Sequence, residues 1–119
     1  MTFDEYQELA MTFCTKESNN LPYMILGLNE EVGELTGKLA KAVRKGLLKP
    51  DLSFDEDNVN EELFELMDNI TKECGDVLWM LAGVHSVLNK RLETTAHLNI
   101  HKLTSRKKRG VIVGEGDNR

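Results

Sequence analysis

The sequence predicts an all-α protein, a helical bundle of about four to five helices. Only two prolines occur among its 119 residues, and no segment sustains the apolar and polar alternation that is typical of a strand. Apolar residues instead recur at helical spacing through most of the chain, as on one face of a helix. A chain of this length forms one compact domain. We therefore expect a single helical domain over residues 1–110 and an irregular tail over residues 111–119.

Composition and charge narrow the class of protein. The net charge of −5 argues against a nucleic-acid-binding surface over the whole molecule. The two cysteines, Cys14 and Cys74, do not form the pattern of a disulfide-stapled secreted domain. No apolar stretch approaches the ~20 residues of a membrane span, and the polar, acidic first residues are unlike a signal peptide. We predict a cytoplasmic protein without a nucleic-acid or membrane partner.

The first two helices have recognisable ends. Thr2 and Glu5 form a predicted capping box, in which each side chain accepts a hydrogen bond from a backbone amide near the helix start. The second helix is predicted to begin near Pro22, because proline suits the first turn. It runs to about Lys45, where Gly46 is a suitable stop.

A third helical pattern extends to about Leu92. Ser53 and Glu56 offer a second predicted capping box at its start. The pattern fits one long helix or two helices with a break at residues 68–69, and the sequence does not decide between them. The acidic stretch over residues 51–68 is interpreted as a solvated helix face, because ordinary apolar residues occupy its other side.

Charged residues interrupt the apolar stripe of the second helix. Written as heptads, its a positions are apolar: Leu28, Leu35 and Ala42. The d positions belong to the same buried stripe, yet they hold Glu31 and Lys38. Glu34 follows Glu31 by three residues, at position g. Glu30 falls on another face of the helix.

The third helix repeats this arrangement. Its a positions are Ile70, Val77 and Val84, and Cys74 and Leu88 fall at e, which belongs to the same broad stripe that is predicted to be buried. Glu73 is the one charged d residue of that run, and Asp76 follows it by three residues at g. Residues three apart on a helix point the same way, so each helix presents a pair of acids.

Two such pairs on apolar stripes predict a metal site. If the two helices pack side by side, four carboxylates converge, and they must become protonated or be neutralised by a cation. Oxygen ligands in this number suit Mg²⁺ or Mn²⁺. Zinc is disfavoured because no His or Cys pair has a fitting spacing. A di-iron bundle is disfavoured because it needs Glu-x-x-His on two helices.

The same residues resemble those of a known family. Glu30 to Leu35, followed by Glu73 to Trp79, is similar to the ExxE and ExxD motifs of the MazG-like nucleoside triphosphate pyrophosphohydrolases. The run from Lys102 to Arg119 also resembles the end of short single-domain members. The spacer between the two motifs is longer than usual for the family, and the excess falls near residues 51–66.

The resemblance implies Mg²⁺-dependent hydrolysis of a nucleoside or deoxynucleoside triphosphate to a monophosphate and pyrophosphate. It implies an all-α fold that assembles as a dimer or a dimer of dimers, with the active site between two antiparallel helices. Its catalytic and metal-binding residues would be Glu31, Glu34, Glu73 and Asp76, and the identity of the general base stays open. One alternative is a relative that acts on another pyrophosphate; another is a non-catalytic nucleotide-binding or helical interaction protein.

Four further residues are candidates for substrate binding. Lys38 is either a phosphate ligand or the partner of Glu34 in an ion pair within the helix. Trp79 either stacks on the nucleobase or is a core residue. Lys102 and Arg106, on a last helix predicted from about residue 95 to residue 109, would contact phosphate by the resemblance; otherwise they complement the helix dipole.

Overall fold

The computed structural model describes residues 1–119 and is all-α, as predicted. It contains no strand, and an isolated bridge joins Leu48 to Phe54 in the loop after the second helix. The helices are α1 (Phe3–Met11), α2 (Leu21–Arg44), α3 (Glu61–Val87) and α4 (Leu92–Lys108), with one 3₁₀ turn over Glu56–Asn58. The third helical pattern is therefore a single helix of 27 residues without a break.

The ends of α1 and α2 follow local sequence signals. The predicted capping box of α1 is present: Glu5 N donates to Thr2 Oγ1 at 3.1 Å, and Thr2 N donates to Glu5 Oε2 at 2.6 Å. At the start of α2, Asn20 Oδ1 accepts a hydrogen bond from Tyr23 N at 2.9 Å. Gly46, just beyond its end, has φ +74°, a left-handed conformation that glycine adopts without steric cost.

The start of α3 differs from the prediction, because the capping box of Ser53 and Glu56 does not form. The amide and hydroxyl of Ser53 instead donate to Asp51 Oδ1, at 3.0 and 2.6 Å. This local turn competes with helix formation. The cap is Asn60, whose Oδ1 accepts from Leu63 N at 3.0 Å. The acidic stretch over residues 51–68 thus forms a turn, a 3₁₀ segment and the first turns of α3, so only its part from Glu61 onward is the helix face that was predicted.

The start of α4 also differs, since the helix begins at Leu92, about three residues before the predicted start. Its first amide is held by a tertiary contact: Leu92 N donates to Gln7 Oε1 at 2.7 Å. Gln7 Nε2 donates to Ser86 Oγ at 2.9 Å and to Lys90 O at 3.0 Å. One buried glutamine of α1 therefore stabilises the turn between α3 and α4 through three hydrogen bonds, which the local sequence does not reveal.

Helices α2 and α3 pack antiparallel along most of their length. At one end, Lys45 Nζ lies 3.8 Å from Glu62 Oε1. At the other, the Met24 side chain occupies the space beside Gly83. Near the end where Lys45 and Glu62 lie close together, a small core cluster is formed by residues of the two helices and of the loop between them: Ala42, Leu47, Leu48 and Leu63.

The molecule is open, and much apolar surface is exposed. Its radius of gyration is 17.7 Å, whereas a compact chain of this length has roughly 13–14 Å. Cys74 and Leu88, which were predicted to lie on the buried stripe of α3, are both exposed, because α2 covers only the side of α3 that carries Glu73 and Met80. None of the helices has the length and hydropathy needed to span a membrane.

Candidate metal site

The antiparallel packing of α2 and α3 brings three of the four predicted acids together. Glu31 lies on α2, and Glu73 and Asp76 lie on the facing side of α3. Each offers a carboxylate oxygen, and these three oxygens all lie within 4.8 Å of one another. Helical spacing makes Glu73 and Asp76 neighbours, and the helix pairing adds Glu31. The cluster is thus a tertiary feature built from two local motifs.

Glu34 lies at the edge of this cluster. It is one turn beyond Glu31 on α2, it is exposed, and it is not among the three acids whose oxygens lie within 4.8 Å of one another. Its charge still acts on Glu31, whose pKa it helps to raise. A role for Glu34 as metal ligand stays a prediction. Glu30 is exposed and also lies outside the cluster.

The acids differ in burial, and the expectation of four acids on a buried surface is only partly correct. Glu73 is buried, Glu31 is intermediate, and Asp76 is exposed like Glu34. The site therefore opens to solvent on the side where the g positions lie, because the two helices meet along their d positions. Water can solvate the two exposed carboxylates, so the electrostatic cost is concentrated at Glu31 and Glu73.

The pKa of Glu31 is raised above its usual value of 4.5. Desolvation is the largest cause, followed by the negative charge of Asp76 and then of Glu34 and Glu73. Both effects favour the protonated acid. Glu31 is therefore the acid at which crowding of like charges is most evident, and a cation placed among these oxygens would relieve it.

Lys38 already supplies one positive charge. Its Nζ lies 2.9 Å from Glu73 Oε1, and the hydrogen bond to Glu73 is the main cause of the raised pKa of the Lys38 ammonium. Of the two interpretations of Lys38 as an ion-pair residue or a phosphate ligand, the structure shows an ion pair, but with Glu73 of α3 rather than Glu34 of its own helix.

A groove of about 230 Å³ adjoins the cluster on the Lys38 side. It lies between the C-terminal half of α2 and the N-terminal half of α3, and Lys38 is one of its lining residues. Its other lining residues are Lys41, Ala42, Lys45, Leu47, Glu62, Glu65, Leu66 and Asn69. A molecule bound at the acids would have this groove as its neighbour.

Tyr6 is a site residue that the sequence did not single out. It lies on α1 and is half-buried. Its pKa is raised, first by desolvation and then by the negative charge of Asp76, so the Tyr6 phenol is near enough to the cluster to be influenced by its charge. It also lines a small cavity of about 220 Å³ with Phe3 and Leu78. In the sequence Tyr6 is only one member of the apolar face of α1, so no motif could have identified it.

Trp79 has a structural contact in this chain. Its indole Nε1 donates to Ala10 O at 3.1 Å, so the half-buried side chain joins α3 to α1. A partner for the indole N–H is what a partly buried tryptophan requires. Stacking of its ring on a nucleobase stays a prediction.

Lys102 and Arg106 bind the C-terminal tail. Lys102 Nζ lies 3.2 Å from Asp117 Oδ1. Arg106 is only 5% exposed, and its Nη2 donates to Asp117 O at 2.9 Å and to Gly116 O at 3.2 Å. Lys102 and Arg106 together lower the pKa of Asp117. Both cations thus have partners in the tail, the Asp117 carboxylate and, for Arg106, two backbone carbonyls, and their role as phosphate ligands stays a prediction.

Comparison with known proteins bears on the same residues. A model of the MazG nucleotide pyrophosphohydrolase domain matches residues 16–111, a range that contains α2, α3, α4 and every acid of the cluster. The Gene 37 protein of Mycobacterium phage L5 is 39% identical over 99 residues, which is 83% of this chain and 76% of the phage protein. No solved structure matches the chain.

Proposed function

Because the chain belongs to the MazG nucleotide pyrophosphohydrolase family, we propose that it hydrolyses nucleoside or deoxynucleoside triphosphates to a monophosphate and pyrophosphate in the presence of Mg²⁺ or Mn²⁺. The observation that carries the proposal is the cluster of Glu31, Glu73 and Asp76, with three carboxylate oxygens within 4.8 Å of one another. Three converging acids have an evident use in an enzyme that handles metal-bound triphosphates.

The donor set fits a hard divalent cation. Mg²⁺ binds oxygen at about 2.0–2.1 Å in an octahedron, so opposite ligand oxygens lie about 4.2 Å apart. Carboxylate oxygens within 4.8 Å of one another need only small side-chain rotations to reach that spacing. Glu31, Glu73 and Asp76 would hold the ion, and exposed Glu34 would be a further ligand or would orient water at the open side.

The bound cation and the residues of the site would have separate roles in the reaction. The bound cation would supply charge neutralisation at the phosphate oxygens and acidify a water molecule. A carboxylate that the ion does not engage would accept the proton as general base, and exposed Glu34, which lies outside the cluster of three oxygens, meets that condition. The open side at Asp76 and Glu34 gives the triphosphate and water access to the acids.

Residues away from the acids would orient the nucleotide. We propose Tyr6 and Trp79 as candidates for contact with the base, since both lie where α1 meets α3 and the charge of Asp76 acts on Tyr6. Lys102 and Arg106 would bind phosphate once Asp117 leaves them. Lys38 stands between the acids and the groove.

We further propose that the working form is a homodimer or a homotetramer. The exposed apolar side chains of α2 and α3 support this, since they are too many for an isolated helical chain to leave in water. They include Tyr23, Ile25, Leu26, Val32, Phe64 and Met67. A second copy would cover this surface and close the open shape.

The proposal is tested by a hydrolysis panel of canonical and modified triphosphates with Mg²⁺, in which monophosphate plus pyrophosphate is separated from diphosphate plus phosphate. Glu73→Gln should lower kcat by orders of magnitude, because a metal ligand is lost. Glu30→Gln is the matched control: it removes an exposed glutamate next to Glu31 and should leave kcat unchanged.

The products of the panel also discriminate the alternatives. Release of diphosphate would replace this reaction with a different phosphate hydrolysis. Mg²⁺-dependent nucleotide binding without any product over hours would support the non-catalytic nucleotide-binding protein. Activity of Glu73→Gln equal to that of the native protein would remove the cluster from the mechanism.

A further inference from the structure

The one buried acid of the cluster is paired with a lysine. Glu73 is buried, and its Oε1 lies 2.9 Å from Lys38 Nζ. The Lys38 side chain is more accessible, with 35% of its surface exposed against 10% for the Glu73 side chain. A buried carboxylate without a positive neighbour would be costly, so this contact meets the need for a cation in the metal-free protein.

We propose that Lys38 is a built-in counter-cation that a divalent metal ion displaces from Glu73, which releases the ammonium to bind a substrate phosphate. The exchange with metal is independent of any reaction. The last step rests on the proposed function, because it requires a phosphate-bearing substrate at the cluster.

We expect Lys38 and a divalent metal ion to compete for Glu73, because both are positively charged. Lys38 and a divalent ion would both bind the carboxylate of Glu73. An ammonium within hydrogen-bond distance of that carboxylate repels a second cation. Metal should therefore bind more weakly with the ammonium present than without it. A lysine that only oriented Glu73 for the metal would have the opposite effect, because its loss would disorder a ligand.

The position of Lys38 suits it for transfer to a phosphate. Its side chain lines the groove between α2 and α3, which adjoins the acids, and a lysine ammonium on its flexible stem can change partners without movement of the helix. Metal at Glu73 removes the negative charge that holds Lys38, and a metal-bound phosphate supplies a new one nearby. The ammonium thus has a partner both before and after metal and substrate bind.

The test is a calorimetric titration of the whole protein with Mn²⁺ in the absence of nucleotide. Lys38→Gln should tighten the Kd for Mn²⁺ by about fivefold, the effect of removing one competing, partly exposed charge. The melting temperature of this variant in EDTA should fall, because Glu73 loses its counter-ion, and saturating Mn²⁺ should restore it. The gap between the two melting temperatures should therefore widen relative to the native protein.

Lys41→Gln is the matched control, because Lys41 lines the same groove one turn further along α2 without an ion pair to the acids. It should change the Kd for Mn²⁺ much less than Lys38→Gln does. Lys38→Arg keeps the positive charge and should keep the native Kd. If Lys38→Gln fails to fold in EDTA but folds with Mn²⁺, the counter-cation role is supported.

Failure of this inference and failure of the proposed function give different results. Native protein that binds no Mn²⁺ overturns both. Native protein that binds Mn²⁺ and hydrolyses triphosphates, with a Lys38→Gln variant whose Kd for Mn²⁺ is unchanged or weaker, overturns the inference alone. With the Mg²⁺-loaded protein, inorganic pyrophosphate should inhibit Lys38→Gln less strongly than native protein; equal inhibition would refute the transfer to phosphate.

Discussion

The side chain of Met24 fills the space that a Cβ atom on Gly83 would occupy. A Cβ built there would lie 2.6 Å from Met24 Cε and 3.0 Å from Met24 Cγ. The opposite pairing exists one turn away, where Met80 Cε would lie 2.5 Å from a Cβ on Gly27. Each helix thus inserts a methionine beside a glycine of the other, and this reciprocal packing fixes the position of α2 against α3.

Gly83→Ala should therefore destabilise the protein by about 1–2 kcal/mol, since overpacking outweighs the gain in helix propensity. Met24 is 0% exposed, and a Cβ at Gly83 would crowd its Cγ as well as the flexible end of its side chain, so the whole side chain would have to change conformation inside the interface. Gly75→Ala is the control on the same helix, because a Cβ there has no neighbour within 4 Å. It should stabilise the protein by up to ~1 kcal/mol. Urea denaturation measures both, and a Gly83→Ala variant as stable as Gly75→Ala would contradict the packing argument.

Gln7→Leu should destabilise the protein by about 1–3 kcal/mol, because Leu92 N is left buried without its acceptor. Hydrogen exchange at the Leu92 amide should rise in parallel. Ser86→Ala is a milder comparison, since it removes only one of the three hydrogen bonds of Gln7. A larger loss for Ser86→Ala than for Gln7→Leu would show that the turn is held in another way.

The stability of the metal-free protein should depend on the protonation of Glu31. Its pKa in the folded chain is above 4.5, so the folded state binds this proton more tightly than the unfolded state. The contribution is fully present below pH 4.5 and is lost as the pH rises through the raised pKa. In EDTA, the melting temperature of Glu31→Gln should change less with pH over this interval than that of the native protein. Glu30→Gln removes only the smallest of the charge effects that raise this pKa and, as control, should change the profile much less.

Metal binding should also depend on the proton of the Glu31 carboxyl. Because Glu31 must lose it to become a ligand, the affinity for Mn²⁺ should weaken as the pH falls through this interval, and metal binding should release protons into the buffer. Titrations in buffers of different ionisation enthalpy measure the release. A proton count that is the same for native protein and Glu31→Gln would show that another group is responsible.

Asp117→Asn should loosen the C-terminal tail from α4, because it removes the carboxylate that pairs with Lys102, although the bonds of Arg106 to backbone carbonyls of the tail remain. The pKa of Asp117 is lowered mainly by its hydrogen bond to Lys102, so the contact is present above pH 3.8 and is lost as the pH falls through the lowered value. In the variant, the amides of residues 111–119 should exchange faster and trypsin should cleave after Arg106 sooner. Glu115→Gln, two residues away and without such contacts, should do neither.

Assembly is tested by light scattering at micromolar concentration, which should find a species larger than the 13.5 kDa chain. Leu26→Glu places a charge at a leucine that is 70% exposed on α2 and should shift the protein toward the monomer. Glu17→Lys, in the loop before α2, is a control for altered charge. A native protein that is monomeric throughout would refute the oligomer.

The sequence by itself determined the helices and the identity of the acids. Thr2 and Glu5 specify the start of α1 through backbone amides within one turn, and Gly46 specifies the end of α2 through its own backbone conformation. The spacing of Glu73 and Asp76 places them on one side of α3 whatever the rest of the chain does. These are short-range effects, so local chemistry is sufficient to predict them.

Only the tertiary structure decided which acids meet and what neutralises them. Glu31 joins the pair on α3 because Met24 and Met80 set the relative position of the two helices, and Glu34 is left at the solvent edge by the same packing. The partner of Lys38 is Glu73, on another helix, rather than Glu34, four residues earlier. The charge of Asp76 acts on Tyr6, although the two residues are 70 positions apart in sequence. Each of these relationships depends on helices packing in three dimensions, which no spacing along one helix encodes.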